Sequence, residues 1–150
     1  MSVALRLLAR REHAELELRR KLHQRAFADD EIDTALAELK RRGWQSDERF
    51  AVMLIGSRAR RGQGPVKIAQ ALHGAGIAKA ALQQSDLDWD GQALLAIRRY
   101  LRSKDASAHE IRMKAMRHLL QKGFTTSSAR VALAAFLKEQ AGYEQDNDDQ

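Results

Sequence analysis

Five histidines, His13, His23, His73, His109 and His118, are the side chains best suited to proton transfer or metal ligation, and none pairs with carboxylates at ligand spacing. His23 and His73 stand at matching positions of a repeat described below, which points to a shared packing or surface role. Asp29, Asp30, Asp47 and Glu48 fall where helices are expected to begin, so they read as helix-start residues and not as a paired-carboxylate acid and base. Gly62-Gln63-Gly64 follows a helical pattern instead of a strand and lacks the Walker arrangement, so it is no phosphate loop. No enzyme activity, metal or cofactor is expected.

Charge is the chemistry that remains. Arg19, Arg20, Lys21 and Arg25 form one basic cluster, Arg58, Arg60, Arg61 and Lys67 a second, and Arg98, Arg99, Arg102 and Lys104 a third. Taken singly, each could be an ordinary solvated face. On successive modules they could instead follow a long, regularly charged object such as a nucleic-acid backbone or a filament groove. Phe27, Phe50, Phe124 and Phe136 fall on apolar stripes and do not interleave with the bases as stacking platforms, so phosphate or acidic-protein contact is favoured over base readout.

The segment from Ile55 to Ile68 organises the rest. Pro65, the single proline of the chain, stands at the first turn of a helix, where a missing N–H costs least. Gly62 and Gly64 in front of it permit a sharp corner, and the second basic cluster surrounds that corner. Before it, helices are expected from Val3 to Arg11, from His13 to Arg25 with Leu18 and Leu22 on one face, and from Asp29 or Asp30 as cap to Gly43, with Trp44 closing the unit. Ser46 is expected to cap the next helix, and a third helix of that unit to run from Ala78 to Leu87. Ser107-Ala-His-Glu110 reads as a capping box, and Thr125 or Thr126 as the cap of a last helix with Val131, Leu133, Phe136 and Leu137 on its apolar side.

These helices repeat. Leu18, Leu22, Ala26 and Phe27 align with Ile68, Leu72, Gly76 and Ile77, and more loosely with Ala115, Leu119, Gly123 and Phe124. A small residue that allows a left-handed turn, followed by a large apolar one that folds back, therefore recurs at the end of each unit's second helix. The reading is all-α, with three tandem three-helix repeats forming an elongated curved rod: residues 1–44, 45–87 and 88–138. A single compact helical bundle is the opposing architecture. Residues 139–150 form an acidic tail expected to be disordered.

Composition agrees. Lys and Arg number 26 against 20 Asp and Glu, and five of those acids lie beyond residue 138, so residues 1–138 carry a net +11. Such a surplus suits a polyanion or an acidic protein face. There is no cysteine, which fits a reducing compartment, and no apolar run approaches the roughly 20 residues that span a bilayer. A soluble cytoplasmic protein with no membrane partner is expected.

The chain resembles the RecX family, regulators of RecA recombinase. The resemblance rests on Ser46-Asp47-Glu48-Arg49-Phe50-Ala51, on Arg58-Ala-Arg60-Arg61-Gly62-Gln-Gly64-Pro65-Val-Lys67-Ile68 with Leu72 and Gly76-Ile77, and on Arg10-Arg11-Glu12-His13 with Leu18 and Leu22. It spans nearly all of residues 4–138 and is loosest in the third unit. Ala14 stands where the family pattern leads one to expect a serine, which removes a helix cap. The resemblance implies a curved array of three-helix units. It also implies a non-enzymatic monomer that binds the RecA filament on single-stranded DNA in its groove and acts in the SOS response, DNA repair and recombination. Filament growth, ATP hydrolysis, strand exchange and co-protease activity would be restrained, with double-stranded DNA a weak second ligand. The rival is a basic helical DNA-binding protein that acts without RecA, and a third reading is a helical adaptor for another partner.

Overall fold

A computed structural model describes residues 1–148, with side chains as far as Tyr143. Among the described residues there are nine helices and no strand: α1 (Ser2–Leu8), α2 (Glu15–His23), α3 (Asp29–Arg41), α4 (Asp47–Arg60), α5 (Pro65–Gly74), α6 (Ala80–Gln83), α7 (Trp89–Leu101), α8 (His109–Lys122) and α9 (Thr126–Asp148). The chain divides into two compact units. The first holds Met1–Ser57 and Ala69–Ser85, and the second holds Arg58–Ile68 and Asp86 onward, so the division falls inside α4 and inside α5.

The repeating turn is present at all three expected places. Ala26, Gly76 and Gly123 have φ of +61°, +75° and +95°. After each, a backbone N–H reaches back to the carbonyl five residues earlier: Phe27 to Leu22 (3.4 Å), Ile77 to Leu72 (2.9 Å) and Phe124 to Leu119 (3.1 Å). This closure satisfies carbonyls that a helix end leaves bare and turns the following apolar residue toward the helix it has just left. The aligned residues Leu18, Leu22, Ile68, Leu72, Ala115 and Leu119 are all buried.

In the first unit, Ala4, Leu18, Leu22, Ile32, Leu36 and Leu39 form the core of α1–α3, with Phe27 against it. α2 begins at Ala14, which cannot cap it; the Glu15 N–H is instead taken by the Asp47 carboxylate at 2.8 Å. Gln45, almost fully buried, donates to that carboxylate and to the His13 carbonyl. Arg49 completes the tie through Glu12 at 2.7 Å. Asp47 therefore does more than open α4: it supplies from 32 residues away the cap that Ala14 lacks.

Several local expectations need correction. The cap position of α3 is Ala28 and not Asp29 or Asp30; the Ala28 N–H donates to Glu31, and the two aspartates lie in the first turn, where the helix dipole suits them. Trp44 does not close the unit in a buried position: it is 43% exposed, with the Arg42 guanidinium 4.8 Å from its ring centre. α6 is a single turn, and the Ser85 hydroxyl takes the Leu82 carbonyl just beyond it. Ser107 does not cap α8, because the helix begins one residue later than a box would need. Its N–H is held by Asp105 instead.

In the second unit, Ala93, Ile97, Leu101, Ala115, Leu119, Phe124, Ala129, Ala132 and Phe136 form one core, with α9 lying against both α7 and α8. Thr125 caps α9 through the Ser128 N–H, and the Ser128 hydroxyl ties α9 to Asp90 of α7 at 2.6 Å. Val131 lies outside this core, half exposed, because Ala129 and Ala132 let α9 come close on their own face. α9 continues past Leu137 to Asp148, so residues 139–148 of the expected disordered tail are helical, with Glu139 bound to Arg98. The side chains of Glu144, Asp146, Asp148 and Asp149 lie outside those described, as do residues 149–150.

Two stability predictions follow from the first unit. Ala26 is exposed and the one non-glycine at positive φ among the described residues. Ala26→Gly should therefore stabilise the chain by about 1 kcal/mol in urea unfolding, since the left-handed strain is relieved and no packing is lost. His13 is buried; its Nδ1–H donates to the Arg11 carbonyl at 3.0 Å, while Nε2 accepts from Lys21 at 3.3 Å, an arrangement that requires the neutral ring. Burial holds its pKa below the ordinary 6.5 despite the Arg11 carbonyl and Glu17. The unfolded chain then binds more protons, so this contribution is full above pH 6.5 and fades as pH falls from there through the lowered folded value. Urea midpoints from pH 7.5 to 5.5 should fall more steeply for the parent than for His13→Gln.

Candidate functional site

The corner between α4 and α5 belongs to the second unit, and its backbone is pinned there. The Gly64 N–H donates to the Lys122 carbonyl at 2.8 Å and the Val66 N–H to the Gly123 carbonyl at 2.9 Å. A Cβ on Gly64 would lie 2.4 Å from the Gly123 carbonyl group and the Phe124 nitrogen, and one on Gly123 would lie 2.8 Å from the Lys67 stem. Both glycines are needed for two backbones to touch. Pro65 then opens α5 with no donor to satisfy.

On this seat the basic residues differ in how far they are committed. Arg58 is half-buried and donates to Gln63 at 2.9 Å. Arg60, Arg61 and Lys67 are exposed, and among the described residues no ion pair involves any of them. Arg58 and Arg60 also occupy the last turn of α4, where the carbonyl end of the helix favours positive charge.

The first cluster is largely engaged. Arg19 pairs with Asp33 at 2.6 Å and Lys21 with Glu17 at 3.2 Å. Arg20 reaches the Gly74 carbonyl at 3.5 Å, and Arg25 donates to the Lys21 carbonyl of its own helix. Hydrogen bonds from Arg41 and then Arg42 likewise hold the Glu38 carboxyl down at about 2. Exposed pairs of this kind contribute little and can exchange for another anion. In the third cluster Arg98 is forked onto Glu139, whose carboxylate raises the guanidinium's pKa, while Arg99 and Arg102 are exposed.

Lys104 shows what the sequence reading missed. Its Nζ sits 4.0 Å from the centre of the Tyr100 ring and donates to the Tyr100 carbonyl, and Tyr100 stacks on His118 at 4.3 Å. An aromatic side chain does interleave with bases here. The signal was Tyr100 inside Arg98-Arg99-Tyr100-Leu-Arg102-Ser-Lys104, where only phenylalanines had been weighed. Among the described residues no group of three or more His, Asp or Glu could hold a metal ion, and no helix is long and apolar enough to cross a membrane.

Two family models match: that of the first three-helix domain of RecX over residues 1–39 and that of the second over residues 46–85. Among similar proteins are the regulatory proteins RecX of Mannheimia succiniciproducens, 37% identical with 82% of this chain and 84% of the relative covered, and of Halorhodospira halophila, 38% identical with 88% and 84% covered. The crystal structure of RecX from Lactobacillus salivarius superposes with a TM-score of 0.78 over 89% of this chain and 92% of that one; at 17% identity it speaks for the fold alone.

The backbone contact at the corner can be tested directly. Gly64→Ala should destabilise the chain by about 1–3 kcal/mol or more, because the displaced neighbour is main chain and cannot rotate away. Thermal unfolding should show the loss, whereas Gly74→Ala, which meets nothing within 4 Å, should not.

Proposed function

The chain belongs to the RecX family, and on that premise we propose that it is a non-enzymatic cytoplasmic regulator that binds the RecA filament on single-stranded DNA. In this reading it acts as a monomer, lies in the filament groove, and restrains filament growth and with it ATP hydrolysis, strand exchange and co-protease activity. It thereby moderates recombination, repair and the SOS response. The observation that carries the reading is the corner: Arg60, Arg61 and Lys67, exposed and without described ion pairs, stand on a main chain fixed by two hydrogen bonds. Charges on a rigid seat lose little freedom on binding and retain more of their attraction as affinity.

The three repeats, 1–44, 45–87 and 88–138, would each offer a basic face, so that several weak contacts combine on neighbouring subunits. Arg99 and Arg102 extend the footprint as they stand. Arg19, Arg20, Lys21, Arg25 and Arg98 would first have to exchange their internal partners, which makes them secondary contributors.

Reversing both exposed arginines, Arg60→Glu with Arg61→Glu, should raise the concentration needed to inhibit RecA ATPase by about tenfold or more, equivalent to about 1.4 kcal/mol of binding, with helicity by circular dichroism unchanged. Full inhibition at the parent's concentration would remove the corner from the interface. Tight, steeply salt-dependent binding of bare duplex without RecA would favour the DNA-binding rival.

A further inference from the structure

We infer that Lys104, His118 and Lys122, with Tyr100 as their support, form a proton-linked contact for one backbone phosphate of a single-stranded nucleic acid. This assignment rests on the reading above in taking a polyanion as the partner, but it concerns a different patch of the second unit from the corner arginines. His118 is half-buried against Tyr100, whose ring also carries Lys104. Lys122 follows one turn later on α8, and its neighbour Gly123 lies against the stem of Lys67, so the cationic surface continues toward the corner.

The surroundings supply cations and withhold anions. Burial first, then Lys122 and Lys104, keep the His118 ring below its ordinary pKa. The nearby acids are occupied: Glu110 pairs with Lys114 at 2.6 Å, and the Asp105 carboxylate accepts from the Ser107 N–H at 2.9 Å. Lys114, close enough to Tyr100 to feel its hydroxyl, is thus already neutralised, and Arg117 is exposed beside it. A phosphate placed between Lys104, Lys122 and the imidazole would relieve their mutual repulsion and favour the imidazolium. Binding would then take up a proton from solvent.

Phosphate suits the site better than carboxylate. Where this chain binds carboxylates tightly it uses guanidinium forks, as Arg98 does with Glu139 and Arg41 with Glu38. The His118 site has compact point-charge donors on separate side chains, a set that fits oxygens spread over a tetrahedral centre.

The test is anisotropy of labelled oligothymidylate with the full chain at fixed ionic strength, at pH 7.5 and pH 6.0. The parent should bind about threefold to tenfold more tightly at the lower pH, and His118→Gln should lose most of that gain while keeping the parent's affinity at pH 7.5 within about twofold. Ring NMR of the unmodified protein gives a second measure that needs no variant: the His118 pKa should rise when oligothymidylate is added. An unmoved His118 pKa, a pH gain retained in His118→Gln, or no binding of oligothymidylate would each overturn the inference. None of these bears on RecA ATPase inhibition through Arg60 and Arg61. An equal gain with oligoglutamate would overturn the assignment to phosphate.

Discussion

The contact between Gly64 and the turn at Lys122–Phe124 is the constraint from which the basic corner takes its form. Two peptide backbones meet there with no side chain between them, closed by the Gly64 and Val66 N–H groups. Because each glycine occupies space that a Cβ would claim, the corner has a definite seat in the second unit. Arg58, Arg60, Arg61 and Lys67 inherit their placement from it. A flexible loop with the same residues would hold the same charge and lose more freedom on binding.

A comparable economy holds the first unit. The left-handed turn after α2 leaves Phe27 against the core, and the start of the same helix depends on Asp47, a residue of another helix. His13, Gln45 and Arg49 gather around this tie through bonds to main chain or to acids. The family models match both stretches, and the likeness in fold to a solved RecX structure fits a chain built from such units.

Much of this was legible because it is local. The small-then-large pair predicts a backward-closing turn from two residues, Pro65 marks a helix start by its missing N–H, and Thr125 caps α9 as its type suggests. What escaped depends on partners distant in the chain. Nothing near Ala14 announces Asp47, and nothing near Gly64 announces Gly123, since both pairings are made by folding and have no period. Val131 was misplaced because large apolar residues draw attention, whereas Ala129 and Ala132 bury the face of α9 by being small. The basic clusters were visible as charge, but only neighbours in space show that Arg19 and Lys21 are spoken for while Arg60 and Arg61 are not.

The corner stands in the middle of the chain by order and in the second unit by packing. A fragment ending at Ser85 would keep every arginine of that corner yet lack the floor on which it rests. Shortened versions of this protein could therefore bind poorly while retaining each residue thought to make contact, and the missing ingredient would be two carbonyl oxygens, those of Lys122 and Gly123.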